Sequence, residues 1–88
     1  MASIKNLKKD INYTLGDLIQ ECYMWELSNP TESTEKSEAI IDEAIETFDG
    51  LIERLHQKNI ENKKAHFKAI SNDLQAEAVK LADKINNL

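Results

Sequence analysis

The segment from Ser33 to Lys58 limits the fold most. Ile41, Ala44, Ile45, Phe48, Leu51, Ile52 and Leu55 recur there at steps of three and four residues. That spacing brings them onto one face of an α-helix. Glu35, Glu38, Asp42, Glu46, Asp49 and Glu53 recur at the same steps on another side. Asp49-Gly50 is a possible interruption, yet the apolar stripe stays in phase across it, so one helix is predicted. Asn59 in the left-handed conformation just past Lys58 would bring Ile60 against Leu55, a Schellman stop.

The residues before this segment predict a helix over Ser3–Leu27. Ser3 is suited to cap its start. Ile4, Leu7, Ile11, Leu15, Leu18, Cys22 and Trp25 fall in one arc, and Ile19 widens it. Gly16 lies off that arc and costs about 1 kcal/mol against alanine. Cys22-Tyr23-Met24-Trp25 is apolar all round, and Tyr13 and Met24 point away from the arc. Half-exposed tyrosine and a tolerant methionine are the plain reading; a second contact surface is the other. Tyr13, Gln20, Met24 and Leu27 follow helical spacing with Tyr23 on the flank, giving one charge-free strip suited to self-association.

Asn29-Pro30 marks a turn in the Ser28–Glu32 connection. Two starts then compete for the second helix. Asn29 with Pro30 and Glu32 makes a capping-box pattern; Ser33 or Thr34 is the later choice. The later one is preferred because the apolar period begins near Ala39. A third helix is predicted from Glu61 or Asn62 to about Asn87. Ile60, Phe67, Leu74, Leu81 and Leu88 are spaced by seven, with Ile70, Ala78, Ala82 and Ile85 beside them. Such a repeat favours slight supercoiling against neighbours.

Two short connections joining three amphipathic helices predict an all-α fold. It is an up-down-up three-helix bundle, one domain over residues 1–88. Leu18, Phe48, Ile52, Ile70 and Leu74 are expected at the centre of its core. The chain is short, at 88 residues with 41% hydrophobic side chains. The core is therefore small, and dimerising into a larger bundle would add stability.

Charge narrows the function classes. The net charge is −5, so DNA and anionic membranes are disfavoured as partners. No apolar run suggests a signal peptide or a membrane span. Cys22 is the one cysteine, which excludes an internal disulfide framework and fits a reducing, cytoplasmic setting. Most of the negative charge sits in residues 29–58, which carry three basic residues against eight acids. Like charges at i,i+4 destabilise a helix slightly. The acidic stripe Glu35, Glu38, Asp42, Glu46, Asp49 and Glu53 is then a solvated face, a dock for a basic partner or, as a third reading, a site for divalent cations. Lys63, Lys64 and Lys68 are within sequence reach of its lower end near Glu53.

Catalytic and metal signals are weak. Glu53-Arg54-Leu55-His56 is a single E-x-x-H, whereas bundle di-metal sites use two. Lys63 stands three before His66, so the second copy is missing and no metal or cofactor is expected. Cys22 lies on the apolar arc, where a thiol is an inert hydrophobe. The run A-H-F-K around His66 resembles histidine phosphotransfer domains, whose exposed helical histidine is followed by lysine and then glycine. Here Lys68 is one place early and Ile70 stands where glycine is expected. In general texture the whole chain resembles small acidic three-helix-bundle proteins of bacteria whose function is unknown. That resemblance covers all three helices, rests on no specific motif and transfers no functional residue. It lowers the expectation of an enzyme, and none is expected. The expectation is a non-enzymatic interaction or structural module, binding another protein or itself, with a homodimer first. The alternatives are a metal-binding bundle and a phosphotransfer protein.

Overall fold

The computed structural model describes residues 4–88. It contains three helices: α1 (Ile4–Ser28), α2 (Glu35–Leu55) and α3 (Lys63–Asn86). Each packs against the other two. The expected bundle is the observed one. Ser3, the expected first cap, lies outside the described residues. Among those residues no helix is long and apolar enough to cross a membrane.

Contacts between helix ends fix the up-down-up order. Ser37 at the start of α2 meets Glu26 at the end of α1. Arg54 at the end of α2 pairs with Asp73 of α3 at 2.6 Å, and Glu43 pairs with Lys84 near the end of α3 at 2.6 Å. The result is a rod of 51 × 19 × 18 Å with a radius of gyration of 14.7 Å. A compact chain of this length would have a radius near ~12 Å. The elongation follows from α1, whose 25 residues span ~37 Å at the α-helical rise.

Polar groups punctuate the helices. Asn29 closes α1, its side-chain amide donating to Trp25 O at 2.9 Å. Helix α2 starts late, as expected, with Thr34 at the cap position. Ser33 Oγ accepts from Glu35 N at 3.3 Å, so serine supplies the acceptor that the threonine side chain does not. Asn62 caps α3 by accepting from Ala65 N at 3.1 Å, satisfying one free donor of the first turn.

The end of α2 departs from expectation. The helix stops at Leu55 and not at Lys58. The His56 N–H is shared among the carbonyls of Ile52, Glu53 and Arg54, which tightens the last turn. Asn59 does take the left-handed conformation, at φ 63°, but inside the α2–α3 connection and not at a Schellman stop. Asparagine tolerates that region better than other residues with a Cβ. His66 Nε2–H donates to Arg54 O at 2.7 Å. A ring from α3 thus adds a side-chain donor to a carbonyl that also accepts from Gln57 N at 3.3 Å in the last turn.

The core also differs from expectation. Leu7, Ile11, Leu15, Cys22, Ile70 and Leu81 are the deepest apolar side chains. Leu18 and Leu74 are buried as predicted, whereas Phe48 and Ile52 are only partly buried against the core. Ile45 is 46% exposed, and Ile40 is buried in its place. The physical reason is rotational. The apolar arc of α2 is wider than the seam that two neighbours can cover. Packing selects the side carrying Ile40 and leaves Ile45 outside. Fully buried Ser37 sits mid-arc, spaced with Ile41, Ala44, Phe48, Leu51 and Leu55. Its hydroxyl donates to the Glu26 carboxylate and lies 3.0 Å from Thr34 O. A buried hydroxyl so paired avoids the cost of an unmade hydrogen bond.

Gly50 is exposed, and a Cβ built there would meet nothing within 4 Å. Gly50→Ala should therefore raise stability by about 0.5–1 kcal/mol through helix propensity alone. Thermal unfolding followed by circular dichroism checks this, and a lowered midpoint would contradict it.

Candidate functional site

Helix α1 has two apolar sides. One is the core arc. The other consists of the residues singled out for self-association. Tyr13 is 61% exposed, Tyr23 52%, Met24 56% and Leu27 77%, and Gln20 is exposed among them. At 100° per residue, Tyr13, Gln20, Tyr23, Met24 and Leu27 fall within one arc of ~100°, opposite the core. No charged residue of the 13–27 segment falls inside it. Asp17 and Glu21 lie beside it.

Two residues join this face that the sequence reading left out. Gly16 falls inside the same arc. It is exposed, and no atom lies within 4 Å of where its Cβ would be. Nothing within the bundle therefore requires glycine there. The signal was present in the alternating steps of three and four through positions 13, 16, 20, 23 and 27. Val79 of α3 is 71% exposed and lines the same groove as Tyr13. Only the docking of α3 on α1 places it there.

The acidic stripe lies along an exposed side of α2. Glu35, Glu38, Asp42, Glu46, Asp49 and Glu53 are all exposed. Among the described residues none of the six forms an ion pair, and Glu53 does not meet Lys63, Lys64 or Lys68. Arg54 beside it pairs with Asp73 instead. The carboxylate of α2 that binds another helix twice is Glu43, off the stripe. It meets Lys84 at 2.6 Å and Lys80 at 3.3 Å. Lys80 and Lys84, four apart, project from one face of α3 and clamp it. The hydrogen bond from Lys84 is the main cause holding the Glu43 carboxyl below the usual range, and partial burial opposes it.

Cys22 and His66 are held in packed surroundings. Cys22 is buried in the core. Burial raises its thiol pKa first, and the nearby carboxylates of Glu26 and Glu21 add to this. His66 is half-buried, with one ring nitrogen on the Arg54 carbonyl and its ring 5.8 Å from that of Phe67. Glu53 and His56 are exposed. Among the described residues no three His, Cys, Asp or Glu side chains converge as metal ligands would.

Two outcomes follow. A carboxyl with a lowered folded-state pKa contributes stability above the ordinary glutamate range and loses it as pH falls through its folded value. Glu43→Gln should thus lower the unfolding midpoint at neutral pH and shrink the loss of stability on acidification. Parallel acid limbs for parent and variant would contradict the clamp. Cys22 should resist a water-soluble disulfide reagent in the folded protein and react fully in denaturant. Rapid labelling without denaturant would contradict its burial.

No family model, curated protein or solved structure matches this chain.

Proposed function

We propose that the chain is a non-enzymatic interaction module that pairs with a second copy of itself through the outer face of α1. The observation that carries this is the exposed charge-free strip with Gly16 inside it. A chain of net charge −5 repels its own copy, so close approach is cheapest where the surface bears no charge. An exposed glycine in a helix interior costs about 1 kcal/mol against alanine. A partner side chain seated over it gives that cost a use.

The numbering suggests a register. Tyr13 and Leu27 are equally far from Gln20, as are Gly16 and Met24. A two-fold axis through Gln20 therefore sets Tyr13 against Leu27 of the other copy, and Met24 over the hollow at Gly16. Such a contact is isologous, each strip covering its counterpart. Asp17 and Glu21 approach their counterparts beside the strip, so added salt strengthens the pairing by screening them. The single thiol, Cys22, fits a reducing compartment, and the cytoplasm is the setting we assign.

A second reading uses the acidic stripe, whose six carboxylates have no ion-pair partner among the described residues. It docks a basic protein, and that contact weakens with salt. Changing Glu38, Asp42, Glu46 and Asp49 to amides would abolish it while leaving self-association intact.

Sedimentation equilibrium at micromolar concentration tests the first reading. The parent should self-associate, and more strongly as salt rises. Tyr13→Glu with Met24→Glu should give monomers that remain helical. Gly16→Leu should raise the stability of the separate chain yet weaken pairing by filling the hollow. A parent that stays monomeric at every concentration ends the proposal. A dimer that survives both glutamates has its interface elsewhere.

A further inference from the structure

A second surface, at the opposite end of the chain's charge distribution, is assembled only by folding. The start of α1, the α2–α3 connection and the start of α3 meet at one end of the rod. Between them lies a cleft of about 720 Å³. Ile4, Leu55, Ile60 and Phe67 supply its apolar surface, and Lys5, Lys58 and Lys63 supply its cations. The sequence has 16 acidic residues, yet none lines this cleft. Among the described residues none of the three lysines forms an ion pair. Lys8, Lys9, Lys64 and Lys68 follow within the next turns of the same helix ends, outnumbering the nearby acids Asp10, Glu53 and Glu61. Left-handed Asn59 also lines the cleft, where it turns the connection.

We propose that this cleft binds a small anionic amphiphile, a carboxylate or phosphate head on an apolar chain. The volume lies in the range of small-molecule sites, ~300–1,000 Å³. Apolar lining beside unpaired cations fits a ligand with both characters. The rest of the protein argues against a polyanion. A nucleic acid extending beyond the cleft would meet a molecule of net charge −5, whereas a ligand contained in the cleft meets lysines alone. His66 does not supply the anchor through Nε2, which is held on Arg54 O. The lysines bind the head as flexible point charges and do not fix one head geometry.

Isothermal titration calorimetry on the full chain tests this with decanoate and decyl phosphate, both below their micelle concentrations. Decanol, inorganic phosphate and decyltrimethylammonium serve as comparisons. One acid amphiphile should bind per chain, in dilute and concentrated protein alike, and separately from any pairing through α1. Decanoate against decyl phosphate distinguishes the two head groups. Lys5→Gln, Lys58→Gln and Lys63→Gln together should weaken the anions by about tenfold, the modest loss expected of exposed charge contacts, and leave decanol unchanged. Ile60→Ser, in the connection and outside every helix, should weaken anions and decanol alike. Circular dichroism of each variant confirms the fold. Equal binding of the cationic and anionic chains would overturn the proposal, as would full affinity in the triple-lysine variant. Tighter binding of a leucine-flanked aspartate peptide than of decanoate would replace it with a peptide partner.

Discussion

The apolar arc of α1 is the surface against which the other two helices pack. Leu7, Ile11, Leu15 and Cys22 are almost entirely removed from water, and that requires neighbours on two sides. Helix α2 covers one side and α3 the other. Burying one such side chain stabilises by about 1.5–3 kcal/mol, more than the usual helix-propensity difference at a position. Packing therefore decides where the helices lie, and propensity only permits them. The connections follow suit: His66 of α3 donates to the Arg54 carbonyl at the end of α2 and so ties the two helices across their connection.

A bundle of three helices has one thin layer of core. Each helix buries one side and leaves the other to solvent. The surface is accordingly large for the chain, and its chemistry is sorted by helix. A strip on the outside of α1 from Tyr13 to Leu27 is charge-free, the outside of α2 is acidic, and lysines gather at the α2–α3 loop end. The polar contacts that join helices are few and specific. Glu43 ties α2 to α3 through two lysines, and Ser37 ties α2 to α1 through Glu26. They set register along the rod, while apolar burial supplies most of the stability.

The three proposed contacts respond to different physics. Pairing through α1 joins neutral surfaces on like-charged bodies, so screening helps it. Docking on the α2 stripe joins opposite charges, so screening hurts it. The lysine-lined cleft needs an anion and an apolar body together. These contacts lie on separate parts of the surface and need not compete.

Helical period is a local property, set by which side chains recur at three and four residues. The sequence by itself therefore determined three helices, their turns, the exposed strip of α1 and the acidic face of α2. Asn29-Pro30, Asn59 and Asn62 mark turn and cap chemistry because those side chains act on backbone within a few residues. What tertiary structure alone decided is how each helix is rotated about its axis and which ends meet. A shift of one position along the arc of α2 exchanges Ile45 for Ile40 in the core. Glu43 reads as one more surface acid until α3 brings Lys80 and Lys84 to it. Lys5, Lys58 and Lys63 are far apart in the chain, and only the folding of α1 beside the α2–α3 connection gathers them around one cleft.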